Sequence, residues 1–129
     1  MQIITEKYKY AFPSPIQSCI MPLLHKKQNV IGSSETGSGK TLSYLIPLIH
    51  NILLNKLKSE EEKVENLPHK ALIILPTKEL CMQIYNECLV FCKYYTKNNV
   101  KVKYLTQAMY NGIANDFDNF LRKNDIIVY

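Results

Sequence analysis

The sequence predicts an α/β layered fold, a parallel sheet flanked by helices on both faces, and three observations lead there. A short apolar run at residues 30–33 gives way to a glycine-bearing turn and then to a helical pattern. Residues 71–75, ALIIL, form a second apolar run, closed by Pro76 and followed by another helical pattern. The chain finishes on a third run, DIIVY, at residues 125–129. Apolar strands alternating with helices are the pattern of parallel strands joined by helical crossovers. At 129 residues the chain has room for one modest domain.

Taken in order, the first helix is expected from Ser14, Pro15, Ile16 and Gln17. Ser14 suits the N-cap, Pro15 the first helical position, and Gln17 the reciprocal position of a capping box. Residues 30–33 are expected as a strand, and a helix should run from Lys40 to about Leu54. The charged run at residues 56–70, KLKSEEEKVENLPHK, reads as a surface connection within the domain. The near-continuous apolar character of residues 71–75 is that of a strand buried on both faces. Thr77 can cap the next helix, in which Leu80, Ile84, Cys88, Phe91, Cys92 and Tyr95 recur at spacings of three and four. Val100, Val102 and Tyr104 alternate with lysines, as on a strand with one more polar face. A short helix around residues 116–122 should turn Phe117, Phe120 and Leu121 inward. Because the final run reads as a strand with no covering helix after it, the domain is expected to be truncated.

Composition narrows the class. With 47% hydrophobic and 21% charged residues, the chain reads as globular rather than disordered or fibrous. The net charge of +5 favours a polyanionic partner only weakly, since lysines dominate the basic residues and Arg122 is the sole arginine. Cys19, Cys81, Cys88 and Cys92 lack the paired ligand clusters of a zinc site, and none of His25, His50 and His69 stands at a matching spacing. Reduced intracellular thiols are the expectation. Residues 1–9 contain no apolar stretch of signal-peptide length, and the longest apolar region, residues 44–54, is interrupted by Pro47, His50 and Asn51. A soluble intracellular protein follows, with no membrane partner and no oligomer implied.

The chemistry resides in residues 34–41, SETGSGKT, which match the last positions of G-x-x-x-x-G-K-[ST] with Ser34 where the first glycine usually stands. Gly37 and Gly39 permit backbone angles closed to other residues and let the main chain approach phosphate oxygens. The amides of the loop then lie at the start of a helix, whose dipole adds positive potential where a triphosphate would sit. Lys40 would reach the β- and γ-phosphates, and the Thr41 hydroxyl would ligate Mg²⁺. A glycine- and serine-rich linker would carry none of this context of preceding apolar run and following helix. ATP is the expected ligand.

Upstream, Gln17 admits two readings. Helix capping accounts for it fully, yet its amide also carries the donor and acceptor needed to pair with the edge of adenine, and Tyr10 could pack on the base. Downstream, residues 76–80 offer a helix start with one lysine, a geometry suited to a phosphate backbone and equally to a plain strand-to-helix turn.

Three strings in one order, YAFPSPIQ at residues 10–17, SETGSGKT at 34–41 and LPTKEL at 75–80, resemble the Q motif, motif I and motif Ia of DEAD-box ATP-dependent RNA helicases. The likeness covers nearly the whole chain and includes Pro22 and Pro47. It implies a partial RecA-like P-loop domain, with residues 1–129 as the N-terminal portion of the ATP-binding domain. It implies that Gln17 reads adenine, that Tyr10 packs near the base, and that Thr36, Gly37, Ser38, Gly39, Lys40 and Thr41 hold the phosphates. Pro76, Thr77 and Lys78 would contact the RNA backbone. In the family, ATP and RNA close two RecA-like domains on each other, bend the RNA and pry apart short duplexes.

Departures from the pattern accompany it. Lys78 stands where arginine is usual, keeping the charge without the planar bidentate grip. Ser34 replaces an alanine, a change expected to be harmless. Lys9 occupies a position commonly glycine. The isolated aromatic upstream of the Q motif would fall before Met1, and only Gly112 of Asn111-Gly112 matches the family's Gly-Gly element. The 129 residues contain no Asp-Glu-Ala-Asp or Ser-Ala-Thr motif, so the chain is expected to bind ATP and RNA with little hydrolysis by itself. A non-catalytic nucleotide- or RNA-binding module, and a P-loop NTPase of another family, are the alternatives.

Overall fold

The computed structural model describes residues 9, 11–62, 71–95 and 100–129. They divide into two compact units, Met1–Asn51 and Ile52–Tyr129. Tyr10 and residues 63–70 of the charged connection lie outside the described residues.

In the first unit, helix α1 spans Pro15–His25 with Ser14 at its N-cap in extended backbone and Pro15 at its start, as the sequence indicates. Its far end closes through two bonds: the Lys27 amide donates to Leu24 O at 2.9 Å and the Gln28 amide to Leu23 O at 3.1 Å. That is the Schellman arrangement, which requires a left-handed residue, and Lys27 supplies it with φ at 58°. Lys9 is also left-handed, with φ at 53°.

Residues 30–33 do not form the expected strand. A strand exists only through its neighbours, and none of the described strands pairs with this segment. Ile31 is accordingly fully exposed. The segment nevertheless lies close to α1, because a Cβ on Gly32 would collide with Ile20 Cδ1.

Helix α2 runs Lys40–Glu62, well past the expected end near Leu54. Residues 56–62 therefore continue the helix, consistent with the high helix propensity of their Lys, Leu and Glu content. Leu42, Leu45, Ile49 and Ile52 recur at spacings of three and four along α2, and all are buried.

The second unit holds the sheet. Strands β1 (Ala71–Ile73), β2 (Val102–Tyr104) and β3 (Ile126–Val128) are all parallel, in the order β1-β3-β2. Ala71, Ile126 and Val102 stand in register, as do Ile73, Val128 and Tyr104. Every residue of the central strand β3 is buried, which explains its uninterrupted apolar sequence. β1 is shorter than the run ALIIL and is not buried on both faces: Leu72 is 59% exposed and Ile74 70% exposed. It occupies a sheet edge, so its run of apolar residues lacks the cover that β3 enjoys.

Between β1 and β2, helix α3 (Lys78–Tyr95) packs on β2 and β3. Ile84, Cys88, Phe91 and Cys92 are buried along its inner face, joined by Cys81, and Tyr85 meets Tyr104 with ring centroids 6.1 Å apart. None of the four cysteines is disulfide-bonded, and no group of metal-ligating residues forms among the described residues. Also among the described residues, no helix is long and apolar enough to cross a membrane.

After β2 comes an element the sequence does not announce, helix α4 (Gln107–Ile113), followed by a 3₁₀ turn at Ala114–Asp116 and helix α5 (Phe117–Lys123). Phe117 and Phe120 on α5 stack at 6.2 Å and are half-buried. The start of β3 is fixed by Asp125, whose buried carboxylate accepts the Lys101 amide at 2.7 Å and pairs with Lys56 Nζ at 2.6 Å.

Candidate nucleotide-binding site

The glycine-bearing loop opens with a turn closed by the Ser38 amide, which donates to Glu35 O at 3.3 Å. Gly37 and Gly39 both lie in the left-handed region, with φ at 81° and 89°. A side chain is strained at either, which is the physical reason for glycine at these two positions. Lys40 and Thr41 begin α2 directly after the loop, the position where backbone amides lack helical acceptors and positive potential accumulates.

The loop is braced internally. Lys40 Nζ donates to the carbonyl oxygens of Ser34 and Glu35, the latter at 2.5 Å. An ammonium has three N–H bonds, so this arrangement leaves one for a phosphate oxygen. Ser34 Oγ and Ser38 Oγ share a hydrogen bond at 2.6 Å. Ser43 in the first turns of α2 is buried, with its amide on Gly39 O at 3.2 Å and its hydroxyl donating to Lys40 O at 2.6 Å.

Gln17 joins the loop from α1. It is only 6% exposed, and both ends of its amide are engaged. Its Oε1 accepts the Ser14 amide at 3.0 Å, the reciprocal half of the capping box, and its Nε2 donates to Gly39 O at 3.2 Å. Space at Gly39 is set by this contact, since a Cβ there would collide with Gln17 Nε2. The Ser14 hydroxyl, by contrast, is buried, has no hydrogen-bond partner among the described residues and lies 3.3 Å from where that Cβ would be.

Of the residues singled out from sequence, Gln17, Thr36, Gly37, Ser38, Gly39, Lys40 and Thr41 therefore fall in one unit, with Gln17 hydrogen-bonded to the loop itself. Tyr10 lies outside the described residues. Pro76, Thr77 and Lys78 belong to the second unit, exposed at the start of α3, where Thr77 Oγ1 accepts the Leu80 amide at 3.2 Å as the expected N-cap. Sequence reasoning missed the Ser34 hydroxyl, although the replacement of a small apolar residue by serine was itself the signal. It also missed the Lys56–Asp125 pair, whose members are too far apart in sequence for any local pattern.

A family model described as DEAD/DEAH box helicase matches residues 14–129. The pre-mRNA-processing ATP-dependent RNA helicase PRP5 of Candida albicans is 39% identical over 128 residues, covering 98% of this chain and 13% of its own length. The ATP-dependent RNA helicase dbp3 of Aspergillus clavatus is 38% identical over 119 residues, or 92% of this chain and 22% of its own. Among solved structures, the yeast DEAD-box splicing factor Prp28 superposes with a TM-score of 0.67 at 26% identity, over 98% of this chain and 29% of that one. Prp28 from Chaetomium thermophilum bound to ADP gives a TM-score of 0.60 at 30% identity, over 96% and 28% respectively. The chain thus spans less than a third of each of these relatives, and the shared architecture is RecA-like α/β.

Proposed function

Since the chain belongs to the DEAD/DEAH box helicase family, we propose that residues 34–41 hold the phosphates of ATP while Gln17 reads its adenine. The observation that carries this reading is the hydrogen bond from Gln17 Nε2 to Gly39 O, which ties a candidate base reader to the phosphate loop. A side-chain amide has two N–H bonds and an oxygen with two lone pairs. Gln17 spends one donor on Gly39 and one acceptor on Ser14, leaving one of each for the edge of adenine.

The residues present also fit Mg²⁺. Thr41 offers a neutral hydroxyl oxygen, the hard donor this ion accepts, next to a lysine already held by loop carbonyls. Held there, the ion would supply positive charge against that of the phosphates. The chain's own part is to bind and orient: Lys40 directs one N–H at a phosphate, and the helix start adds positive potential.

Pro76, Thr77 and Lys78 are proposed to contact an RNA backbone, with Lys78 supplying charge and the α3 start supplying amide donors. These contacts read no base. Hydrolysis and duplex opening by an intracellular ATP-dependent RNA helicase would need Asp-Glu-Ala-Asp and Ser-Ala-Thr motifs, which the 129 residues do not contain.

Titration calorimetry with Mg²⁺ and either ATP or GTP tests the reading. ATP should bind more tightly than GTP, and Lys40→Ala should weaken both by at least about tenfold, the loss of one charge-assisted phosphate contact. Gln17→Ala should reduce ATP binding more than GTP binding. Equal affinity of the wild-type chain for the two nucleotides would remove the adenine-reading role, and equal losses in Gln17→Ala would reduce Gln17 to a brace.

A further inference from the structure

The residue that departs from the family pattern within the loop makes two separate contacts there. The Ser34 carbonyl accepts from Lys40 Nζ, and the Ser34 hydroxyl bonds to that of Ser38 at 2.6 Å. An alanine would keep the first contact and lose the second. Ser38 stands between Gly37 and Gly39, the two residues whose left-handed angles make the loop possible. Glycines raise the entropy lost when a segment is ordered, so the residue between two of them is where a tether has most effect. The Ser38 amide is held as well, by Glu35 O, so that Ser38 is fixed through both main chain and side chain.

We propose that Ser34 is a positioning residue of the phosphate loop, its hydroxyl holding Ser38 so that the loop is ordered before nucleotide binds. The inference rests on the assignment of residues 34–41 as the phosphate site. A loop ordered in advance spends less of its binding energy on immobilisation, and affinity rises accordingly. Ser34 touches no phosphate in this scheme. Its effect passes through Ser38.

A double-mutant cycle on the 129-residue chain tests it, with Mg²⁺ and ATP as the titrant and unfolding midpoints measured alongside. Ser34→Ala should raise Kd about two- to tenfold, the equivalent of one ordinary hydrogen bond. Ser38→Ala should do the same, and the double variant should bind no more weakly than either single one, because one shared bond has been lost. Ser34→Thr, which keeps the hydroxyl, should restore affinity close to that of the wild type. Nucleotide binding by Ser34→Ala as tight as, or tighter than, wild type would overturn the proposal, as would fully additive single effects. Wild-type binding no tighter than that of Lys40→Ala would instead overturn the phosphate-site assignment itself, and the role of Ser34 with it.

Discussion

Gly39 gathers more constraints than any other residue of the site. Its φ of 89° excludes most side chains, a Cβ would collide with Gln17, and its carbonyl serves both the helix and the glutamine. Gly39→Ala is therefore expected to lower stability by about 1–3 kcal/mol, the range for a non-glycine residue forced into left-handed backbone. It should also displace Gln17 and weaken ATP binding. Urea unfolding together with nucleotide titration would show both, and an unfolding curve superimposable on wild type would refute the strain argument. At this scale much was legible. The spacing of Gly37, Gly39, Lys40 and Thr41 specifies the loop, and Ser14 with Gln17 specifies a cap, because those interactions span only a few residues. The hydrogen bond from Gln17 to Gly39 was not, since it joins residues 22 positions apart and depends on how α1 lies against the loop.

Among the elements, helix starts are more legible than strands, while the end of α2 lies well past the expected one. Pro15 after Ser14, and Thr77 after Pro76, mark helix starts through chemistry confined to a single turn. Residues 30–33 failed as a strand because pairing is not local, and α4 escaped notice because QAMYNGI carries a glycine and no apolar period. The far end of α1 yields a prediction. Lys27 takes the left-handed place in a Schellman closure that favours glycine, and it is exposed. Lys27→Gly should stabilise the chain by about 0.5–1 kcal/mol, the relief of left-handed strain less the added entropy of an unfolded glycine. Thermal unfolding would register a rise of a few degrees for a domain of this size. A lowered midpoint would mean that the Lys27 side chain contributes more than its backbone strain removes.

For the whole molecule, the buried Cys88 sets an alkaline limit on stability. The Cys88 thiol is pushed up from 9.0 to about 12, chiefly by burial, with the neighbouring Cys92 and Glu87 adding to the effect. The folded chain thus keeps a proton that the unfolded chain releases near pH 9. Between pH 9 and 12 the unfolded state binds fewer protons, so stability falls as pH rises, by up to about 1.4 kcal/mol per pH unit, while below pH 9 this group contributes no slope. Denaturant unfolding at pH 8 and pH 10 should show the loss, and Cys88→Ala should flatten it. An alkaline decline unchanged in that variant would assign the effect to other groups. The parallel α/β architecture is legible as alternation of strand and helix, and its RecA-like character only through the resemblance carried by the three motifs. The exposure of Leu72 and Ile74 was not, because an apolar run states that cover is wanted without stating which element supplies it.

The carbonyl of Gly39 has one further consequence. A single oxygen receives the Ser43 amide from the first turns of α2 and the Gln17 side-chain amide from α1. Carbonyl carbons respond in chemical shift to the number and strength of the hydrogen bonds they accept. One carbon-13 label at Gly39 therefore makes that atom a reporter of two events at once, the winding of the first turn of α2 and the docking of α1. A ligand that loosened either would be visible at a nucleus it never touched.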